Sequence, residues 1–248
     1  MQKITGGKKS LSQPIVSIII VTYNAEKDLE QCLFSIFCQA NTQFEILVFD
    51  GNSTDDTVAV LKKHDSSITY WQSEPDTGIY DAMNKAVSFA KGKWIYFLGS
   101  DDRLLPGFST MLDHLRESKT IYYGDCTTEE GIYGGEFGPY QVSKRNICQQ
   151  GIFYSADVFK KYRFDISYRV YADYLLNIKC WGDSTFGKQY LNIQVCFYNL
   201  TGFSSFALDD DFKKCKPSLI KKHLGLYIYL RYMIKKTKSR LKGGNEFF

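Results

Sequence analysis

Two adjacent carboxylates, Asp101 and Asp102, follow the apolar run WIYFL at residues 94–98 after only Gly99 and Ser100. A run this rich in aromatic residues is typical of a buried strand, whose carboxyl end is the usual ligand position in an open α/β sheet. Carboxylate oxygens there suit Mg²⁺ or Mn²⁺, which bind through one or two carboxylates and the phosphates of a substrate. The pair predicts a metal and a phosphorylated substrate, with a simple turn before Pro106 as the alternative.

Polar residues also follow the three preceding apolar runs, at residues 22–24, 50–57 and 74–78. Strand ends that converge on one crevice form a nucleotide site. There Asp50 can accept a base imide N–H, Tyr23 can stack, and Asp101 with Asp102 can hold a diphosphate through metal. No glycine-rich dinucleotide motif follows the first strand, and the glycines at residues 6 and 7 lack the spacing of a P-loop.

The elements that must position these residues alternate along the chain. Residues 15–22, 44–50, 68–71 and 94–98 have the pattern of strands, and helical stripes of apolar residues separate them. Such alternation predicts a mainly parallel sheet flanked by helices. Beyond Pro106 the pattern is looser, with strands expected at residues 120–124, 151–154 and 189–198 and helices at residues 157–162 and 171–181.

Composition places the chain among ordinary globular proteins, with 44% apolar and 16% aromatic residues among 248. The seven scattered cysteines form no C-x-x-C pair and are interpreted as reduced core residues. Residues 213–242 hold eleven Lys and Arg and no Asp or Glu, which leaves 20 basic against 27 acidic residues elsewhere. An acidic body argues against a nucleic-acid partner.

The basic tail has an apolar stripe with the spacing of one amphipathic helix. Such a helix can lie on an anionic membrane surface, and packing against the domain is the alternative. No apolar run reaches the ~18 residues that a bilayer span needs, so we expect a cytoplasmic protein. The expected organisation is an N-terminal extension at residues 1–13, one domain at residues 14–205 and a helical tail at residues 206–248.

Five stretches, in order, resemble family 2 glycosyltransferases of the GT-A fold, the bacterial polysaccharide and O-antigen kind. They are VSIIIVTYNAEKDLEQCLFSIFCQ, EILVFDGNSTDDT, EPDTGIYDAMNKAVSFAKGKWIYFLGSDD, QQGIFYS and YADY. The resemblance covers roughly residues 14–205. It implies a Rossmann-like α/β fold and metal-dependent, inverting transfer of a sugar from a nucleotide donor, UDP-linked, to a lipid-linked glycan acceptor. The enzyme would then lie peripherally on the cytoplasmic face of the inner membrane.

The resemblance also implies roles for individual residues. Asp101 and Asp102 would bind Mn²⁺ or Mg²⁺, and Asp173 would be the general base, with a helix N-terminal charge as its alternative reading. Gln150 and Tyr171 would contact the acceptor. The residues expected to bind the nucleotide are Thr22, Tyr23, Asn24, Asp50, Asn52, Ser53, Asp76, Gly78, Asn84 and Asp101.

The chain departs from the family pattern at two places. Many relatives carry D-S-D-D where this chain has Gly99-Ser100-Asp101-Asp102, so which aspartate touches the metal stays open. A His-Gln pair is replaced by Gln149-Gln150. The alternative functions are a sugar-phosphate nucleotidyltransferase, which would need a basic, glycine-rich loop after the first strand, and a non-catalytic nucleotide or carbohydrate sensor. Neither the sugar nor the acceptor follows from the sequence.

Overall fold

One mixed sheet of ten strands organises the part of the chain that the computed structural model describes, residues 3–8, 13–201 and 209–241. The strands are β1 (Ile4–Gly6), β2 (Val16–Thr22), β3 (Phe44–Asp50), β4 (Tyr70–Ser73), β5 (Trp94–Gly99), β6 (Arg103–Leu104), β7 (Thr120–Thr128), β8 (Gly131–Tyr133), β9 (Ile152–Ser155) and β10 (Gly187–Phe197). The helices are α1 (Leu29–Phe37), α2 (Thr57–Lys63), α3 (Ile79–Val87), α4 (Gly107–His114), α5 (Pro139–Lys144), α6 (Ala156–Lys161), α7 (Ala172–Gly182), α8 (Asp210–Leu224) and α9 (Leu226–Leu241).

The parallel centre of the sheet has the strand order β4-β3-β2-β5. Its strands are apolar on both faces because helices cover both sides. In β2, Ile19 and Val21 enter one hydrophobic core, whereas Ile18 and Ile20 enter the other. This alternation follows from the two-residue period of a strand. The predicted mainly parallel α/β sheet is confirmed, and all four carboxyl ends meet at one edge.

The second half of the chain extends this sheet beyond β5. Strand β9 lies antiparallel between β5 and β7, and β7 pairs in parallel with β10. Helix α7 packs in the same core as α3 through residues such as Leu175, Ile178 and Met83. The first turn of α7 therefore lies next to the start of α3, where the Tyr80 hydroxyl contacts Val170 and Asp173.

The two termini of the described chain add to the fold. In the expected N-terminal extension, β1 pairs antiparallel with β4 and forms an edge of the sheet. The tail, expected as a single helix, instead forms α8 and α9, which meet at Gly225 with φ +88°. A left-handed residue ends a helix, and glycine adopts this conformation without a Cβ penalty. The predicted helical tail is therefore present but is divided into two helices at this glycine.

Helix α8 packs on the domain. Its Phe212 is buried against the rings of Tyr171 and Tyr174 on and beside α7. All seven cysteines are unpaired in the described structure, and five of them are buried. None of the helices in the described ranges combines the length and apolarity that a membrane crossing requires.

Candidate functional site

Asp50 lies buried at the carboxyl end of β3, where neighbouring groups hold its carboxylate in place. Ser73 Oγ donates a hydrogen bond of 2.5 Å to Oδ2, and the Ser53 amide donates one of 3.0 Å to the same oxygen. Ser53 Oγ donates to Oδ1. Carboxylate oxygens can each accept more than one hydrogen bond. Asp50 is therefore a fixed hydrogen-bond acceptor at the strand end where the nucleobase of the donor is expected to bind.

The loops after β2 and β3 are tied to each other through asparagines in left-handed conformation. Asn24 has φ +51° and Asn52 has φ +65°, a region that asparagine tolerates better than most residues. The Asn24 amide donates to Ser53 Oγ at 2.7 Å, and its Oδ1 accepts from the Thr54 amide at 2.8 Å. The two strand ends thus form one rigid polar rim.

Gly51 lies where two predicted nucleotide-binding residues, Tyr23 and Asp76, approach each other. A Cβ at this position would lie 2.7 Å from Asp76 Oδ2 and 3.5 Å from Tyr23 Cδ2, so both side chains flank the same backbone. The Tyr23 ring is 63% exposed and open to a stacking partner. Asp76 accepts from the Gly78 amide at 2.8 Å, and burial raises its pKa.

Thr22 has a polar atom for which the described structure supplies no partner. Thr22 is buried at the end of β2, and its side-chain Oγ1 makes no hydrogen bond to any described group. Buried hydroxyl groups are nearly always hydrogen-bonded in proteins. This hydroxyl lies at the end of β2, where Thr22 is in register with Asp50 of β3.

The two carboxylates after β5 differ in their surroundings. Asp102 is 2% exposed and accepts from the Asn199 amide at 2.8 Å, Gln150 Nε2 at 2.9 Å and the Gly99 amide at 3.2 Å. Burial raises its pKa to about 7. Asp101 is half-buried, and burial also raises its pKa. A Cβ at position 99 would collide with both carboxylates, so the glycine allows them to converge.

The converging pair fits a divalent cation that is shared with a substrate. Hard oxygen donors suit Mg²⁺ and Mn²⁺. Within the described ranges, however, no group of three or more His, Cys, Asp and Glu side chains could hold a metal ion. A cation here would take its other ligands from phosphate and water. A cavity of about 120 Å³ opens beside the pair and is lined by Asp28, Gln31, Asp101, Asp102, Arg103, Glu129, Phe197 and Asn199.

Asp173 lies in the first turn of α7, half-buried, as the YADY segment predicts. Asn146 Nδ2 donates to its Oδ2 at 2.6 Å, and the Tyr80 hydroxyl lies 3.0 Å from its Oδ1. Burial raises the pKa of Asp173 to about 6, although both hydrogen bonds act to lower it. A carboxylate with this pKa can take up a proton near neutral pH.

Residues 146–150, the linking segment, join the two carboxylate centres. At one end Asn146 binds Asp173, and at the other Gln150 binds Asp102. Four residues of chain span at most about 14 Å even when extended. The proposed metal position and the proposed base are consequently connected through one short segment of chain.

Two predicted residues have structural partners. The side-chain amide of Asn84 makes two hydrogen bonds to the backbone of Phe164. Its Nδ2 donates to the Phe164 carbonyl oxygen at 2.9 Å, and its Oδ1 accepts from the Phe164 amide at 3.0 Å. The Tyr171 ring packs on Phe212 at 5.3 Å. The nucleotide role of Asn84 and the acceptor role of Tyr171 stay predictions.

Sequence reasoning missed Asn146, Tyr80 and Asn199. Tyr80 has the spacing of an ordinary core residue of α3, and Asn146 and Asn199 lie in loops without a recognisable pattern. The guanidinium of Arg145 lies 4.5 Å from the Phe137 ring. The polar residues before the segment GIYDAMNK indicated a functional loop, but only the folded structure brings Tyr80 of this segment to Asp173.

Residues 17–209 match the family model of glycosyl transferase family 2. A PGL/p-HBAD biosynthesis glycosyltransferase of Mycobacterium bovis is 33% identical over 243 residues, which cover 93% of this chain and 94% of the relative. The GalNAc(5)-diNAcBac-PP-undecaprenol beta-1,3-glucosyltransferase of Campylobacter jejuni is 34% identical over 163 residues, 60% of this chain and 52% of that protein.

Solved structures share the fold at lower identity. S. aureus TarS 1-349 in complex with UDP-GlcNAc superposes with a TM-score of 0.68 at 18% identity, over 84% of this chain and 66% of that one. The mannosyltransferase PcManGT of Pyrobaculum calidifontis, in complex with GDP-Man and Mn²⁺, has a TM-score of 0.62 at 15% identity, over 95% and 77%. These likenesses establish the GT-A fold alone. The family match and the full-length mycobacterial relative show more: this chain belongs to glycosyl transferase family 2 and is a glycosyltransferase.

Proposed function

We propose that the protein transfers a sugar, with inversion, from a UDP-sugar to a lipid-linked glycan acceptor in the synthesis of a cell-surface polysaccharide such as O-antigen. The observation that carries this proposal is the linking segment, through which Gln150 and Asn146 join Asp102 to Asp173. A metal-bound diphosphate at one end and a base at the other is the arrangement that inverting transfer needs.

The donor nucleoside would lie against the loops after β2 and β3. Asp50 would accept the imide N–H of the base and Tyr23 would stack on the ring, with Thr22 bordering both at the end of β2. Asn24, Asn52 and Ser53 shape this rim, and Asp76 and Gly78 border it at the end of β4. A preorganised rim loses little free energy on binding because its side chains are already fixed.

The diphosphate would lie beside Asp101 and Asp102. These residues would hold Mn²⁺ or Mg²⁺, which neutralises the charge that grows on the leaving diphosphate. Asp102 already accepts three hydrogen bonds, whereas Asp101 is the more exposed carboxylate, so Asp101 is the first candidate for direct ligation. Arg103, 5.0 Å above the Phe197 ring, lines the same cavity and adds positive charge.

Asp173 would act as the general base. The acceptor hydroxyl gives its proton to Asp173 while its oxygen forms a bond to the anomeric carbon, and the bond from that carbon to the phosphate oxygen breaks with its electron pair leaving on the nucleotide. Gln150 and Tyr171 would contact the acceptor.

The donor and acceptor classes rest on the comparisons. The Campylobacter relative is named for an undecaprenol-linked acceptor, and TarS binds UDP-GlcNAc. PcManGT binds GDP-Man with Mn²⁺, which supports the metal and makes GDP the first competing nucleotide.

Helix α9 supports a place on the cytoplasmic face of the inner membrane. Leu226, Tyr227, Leu230 and Ile234 are each at least half exposed, and basic residues lie among them. Anionic lipid attracts such a helix by about 1 kcal/mol per basic residue near the surface, and the apolar side chains add burial. Arg231 lies 4.0 Å from the Tyr140 ring, so α9 is also attached to α5.

A donor panel tests this function. The full-length protein is incubated with UDP-, GDP- and dTDP-sugars, Mn²⁺ and an extract of membrane lipids as acceptor, and free nucleotide is measured. One UDP-sugar should release its nucleotide far faster than the rest. Release no faster than in a metal-free control, from every donor, would contradict a metal-dependent transferase.

A further inference from the structure

The two oxygens of Asp173 have partners of different kinds. Oδ2 accepts from Asn146 Nδ2, whose orientation is fixed because Asn146 Oδ1 accepts from Asn177 Nδ2 at 2.9 Å and from the Ile147 amide at 3.0 Å. Asn177 is fixed in turn by the Tyr154 hydroxyl, which donates to its Oδ1 at 2.7 Å. Asn146 can therefore only donate, and a proton on Oδ2 would be opposed by it.

Oδ1 instead faces a group that can donate or accept. The Tyr80 hydroxyl lies 3.0 Å from Asp173 Oδ1 and 2.6 Å from the Val170 carbonyl oxygen. A phenol has one proton, so it can donate to only one of these acceptors at a time. When it donates to Val170, its oxygen is free to accept a hydrogen bond from a proton on Oδ1.

We propose that Tyr80 is a positioning residue that follows the protonation state of Asp173, an inference that rests on the proposed role of Asp173 as base. Tyr80 donates to the ionised carboxylate before transfer. After Oδ1 has taken the acceptor's proton, Tyr80 turns its own proton to the Val170 carbonyl and accepts from Oδ1. Both states are fully hydrogen-bonded, so neither leaves an unpaired buried group.

The other titratable groups that face Asp173 do not compete for this proton. They are tyrosines, and the pKa of each is raised, mainly by burial, so they stay neutral when Asp173 titrates: Tyr133, Tyr154, Tyr171 and Tyr174. Of the nearby cations, Arg145 lies 5.4 Å from the Tyr133 ring and Lys216 lies 4.7 Å from the Tyr174 ring. Burial lowers the pKa of Lys216 to about 7, but its Nζ donates to the Lys144 carbonyl rather than to Asp173. Tyr80 itself has a raised pKa from burial.

The test is the pH dependence of kcat in Tyr80→Phe, measured as nucleotide release from the donor that the panel identifies. Tyr80→Phe loses a charge-assisted hydrogen bond to the ionised carboxylate and a weaker, neutral one to the protonated form. Because the difference favours the ionised form in the wild type, the acid limb of the profile should move up in the variant, by about one pH unit, and kcat should fall about tenfold or more. Binding of UDP, measured by calorimetry, should not change, because Tyr80 does not reach the nucleotide.

Tyr174→Phe is the matched control. It removes a buried hydroxyl that donates to the Val142 carbonyl at 2.8 Å, one residue from Asp173, without contact to the carboxylate. Its acid limb should stay in place. A wild-type profile for Tyr80→Phe, or an equal shift in both variants, would overturn the inference.

Asp173→Asn in the same assay separates the two claims. If this variant keeps transfer, the base assignment fails; if it is inactive while Tyr80→Phe behaves as wild type, only the role of Tyr80 fails. Should Tyr80→Phe not fold, 3-fluorotyrosine at position 80 keeps the ring and hydroxyl but makes the phenol a stronger donor. The acid limb should then move to lower pH, and an unmoved limb would refute the proposal.

Discussion

Asn146 and Gln150 lie four residues apart on one segment, and each binds a carboxylate of a different centre. Asn146 donates to Asp173 at 2.6 Å, and Gln150 donates to Asp102 at 2.9 Å. A displacement of either residue therefore moves one centre relative to the other. Alignment errors of 1 Å can cost large factors in rate, so the linking segment has a direct bearing on turnover.

The carboxylate pair should separate metal binding from stability. Asp101→Ala should abolish Mn²⁺-dependent tightening of UDP binding with little effect on folding, since this side chain is half-buried. Asp102→Ala should also lower the free energy of unfolding by about 2 kcal/mol or more, because it leaves buried donors from Asn199, Gln150 and Gly99 unpaired. Calorimetry with and without Mn²⁺ and urea unfolding measure the two effects.

The exposed Asp211, changed to Ala, is the control for both measurements, since it lies far from the cavity on α8. If Asp101→Ala binds UDP and Mn²⁺ like this control, Asp101 is not a metal ligand. If Asp102→Ala unfolds at the same urea concentration as the control, the buried hydrogen bonds do not have the stabilising effect assigned to them.

Asp173→Asn should stabilise the protein above neutral pH. The pKa of Asp173 is about 6 in the folded protein, above the value of 3.8 for a free side chain. A raised carboxyl pKa contributes stability below the unfolded pKa, and this contribution is lost as the pH rises through the folded value. At pH 8 the ionised group should cost on the order of 1–2 kcal/mol, after allowance for its partial exposure.

Asparagine reproduces the protonated carboxyl, because its Oδ1 can accept from Asn146 and its Nδ2 can donate to Tyr80. Denaturation at pH 8 and at pH 4.5 should therefore show a gain at the higher pH that largely disappears at the lower one. Asp211→Asn should show no such difference. A gain of equal size at both pH values would mean that ionisation of Asp173 is not its source.

The tail should bind anionic vesicles through the exposed face of α9. The triple change of Tyr227, Leu230 and Ile234 to Ser should reduce sedimentation with vesicles that contain phosphatidylglycerol. Substitution is preferable to truncation because Phe212 and Tyr232 are buried against the domain. Raised salt should release the wild-type protein only in part, since screening weakens the charge attraction and leaves the apolar contact.

Ile132→Ser with Ile166→Ser removes two exposed apolar side chains elsewhere on the surface and should leave sedimentation unchanged. Wild-type protein that stays in the supernatant even at low salt would show that the basic stripe is a solvated face and that the membrane proposal is wrong.

The sheet and its strand-end residues were predictable because they depend on local patterns. Continuous apolar runs, typical of strands that are buried on both faces, indicated β2, β3 and β5. The polar motifs at the ends of these strands located Asp50, Asp101 and Asp102. Tyr80 and Asn146 were not predictable, since they meet Asp173 across 93 and 27 positions of sequence. Only tertiary packing of α3 and the linking segment against α7 creates these contacts.

The tail shows a different limit. A stripe of apolar residues continues across Gly225, so periodicity alone indicated one helix, and only the left-handed backbone at the glycine reveals the break. The glycine was itself the available signal, because it stands where a helix end is common. Likewise the aromatic contacts of Phe212 could not be assigned from spacing, since Tyr171 and Tyr174 lie about 40 positions earlier in the sequence.

The most direct measurement of the central claim compares Asp173→Asn with the wild type in two assays at neutral pH. One measures the rate of sugar transfer from the donor that the panel identifies, and the other measures binding of UDP. Binding of UDP should equal that of the wild type, because Asp173 lies at the acceptor end of the linking segment. Transfer should fall by ~10²-fold or more, the factor typical of lost general-base catalysis. Transfer near the wild-type rate with unchanged binding would contradict the assignment of Asp173 as the base.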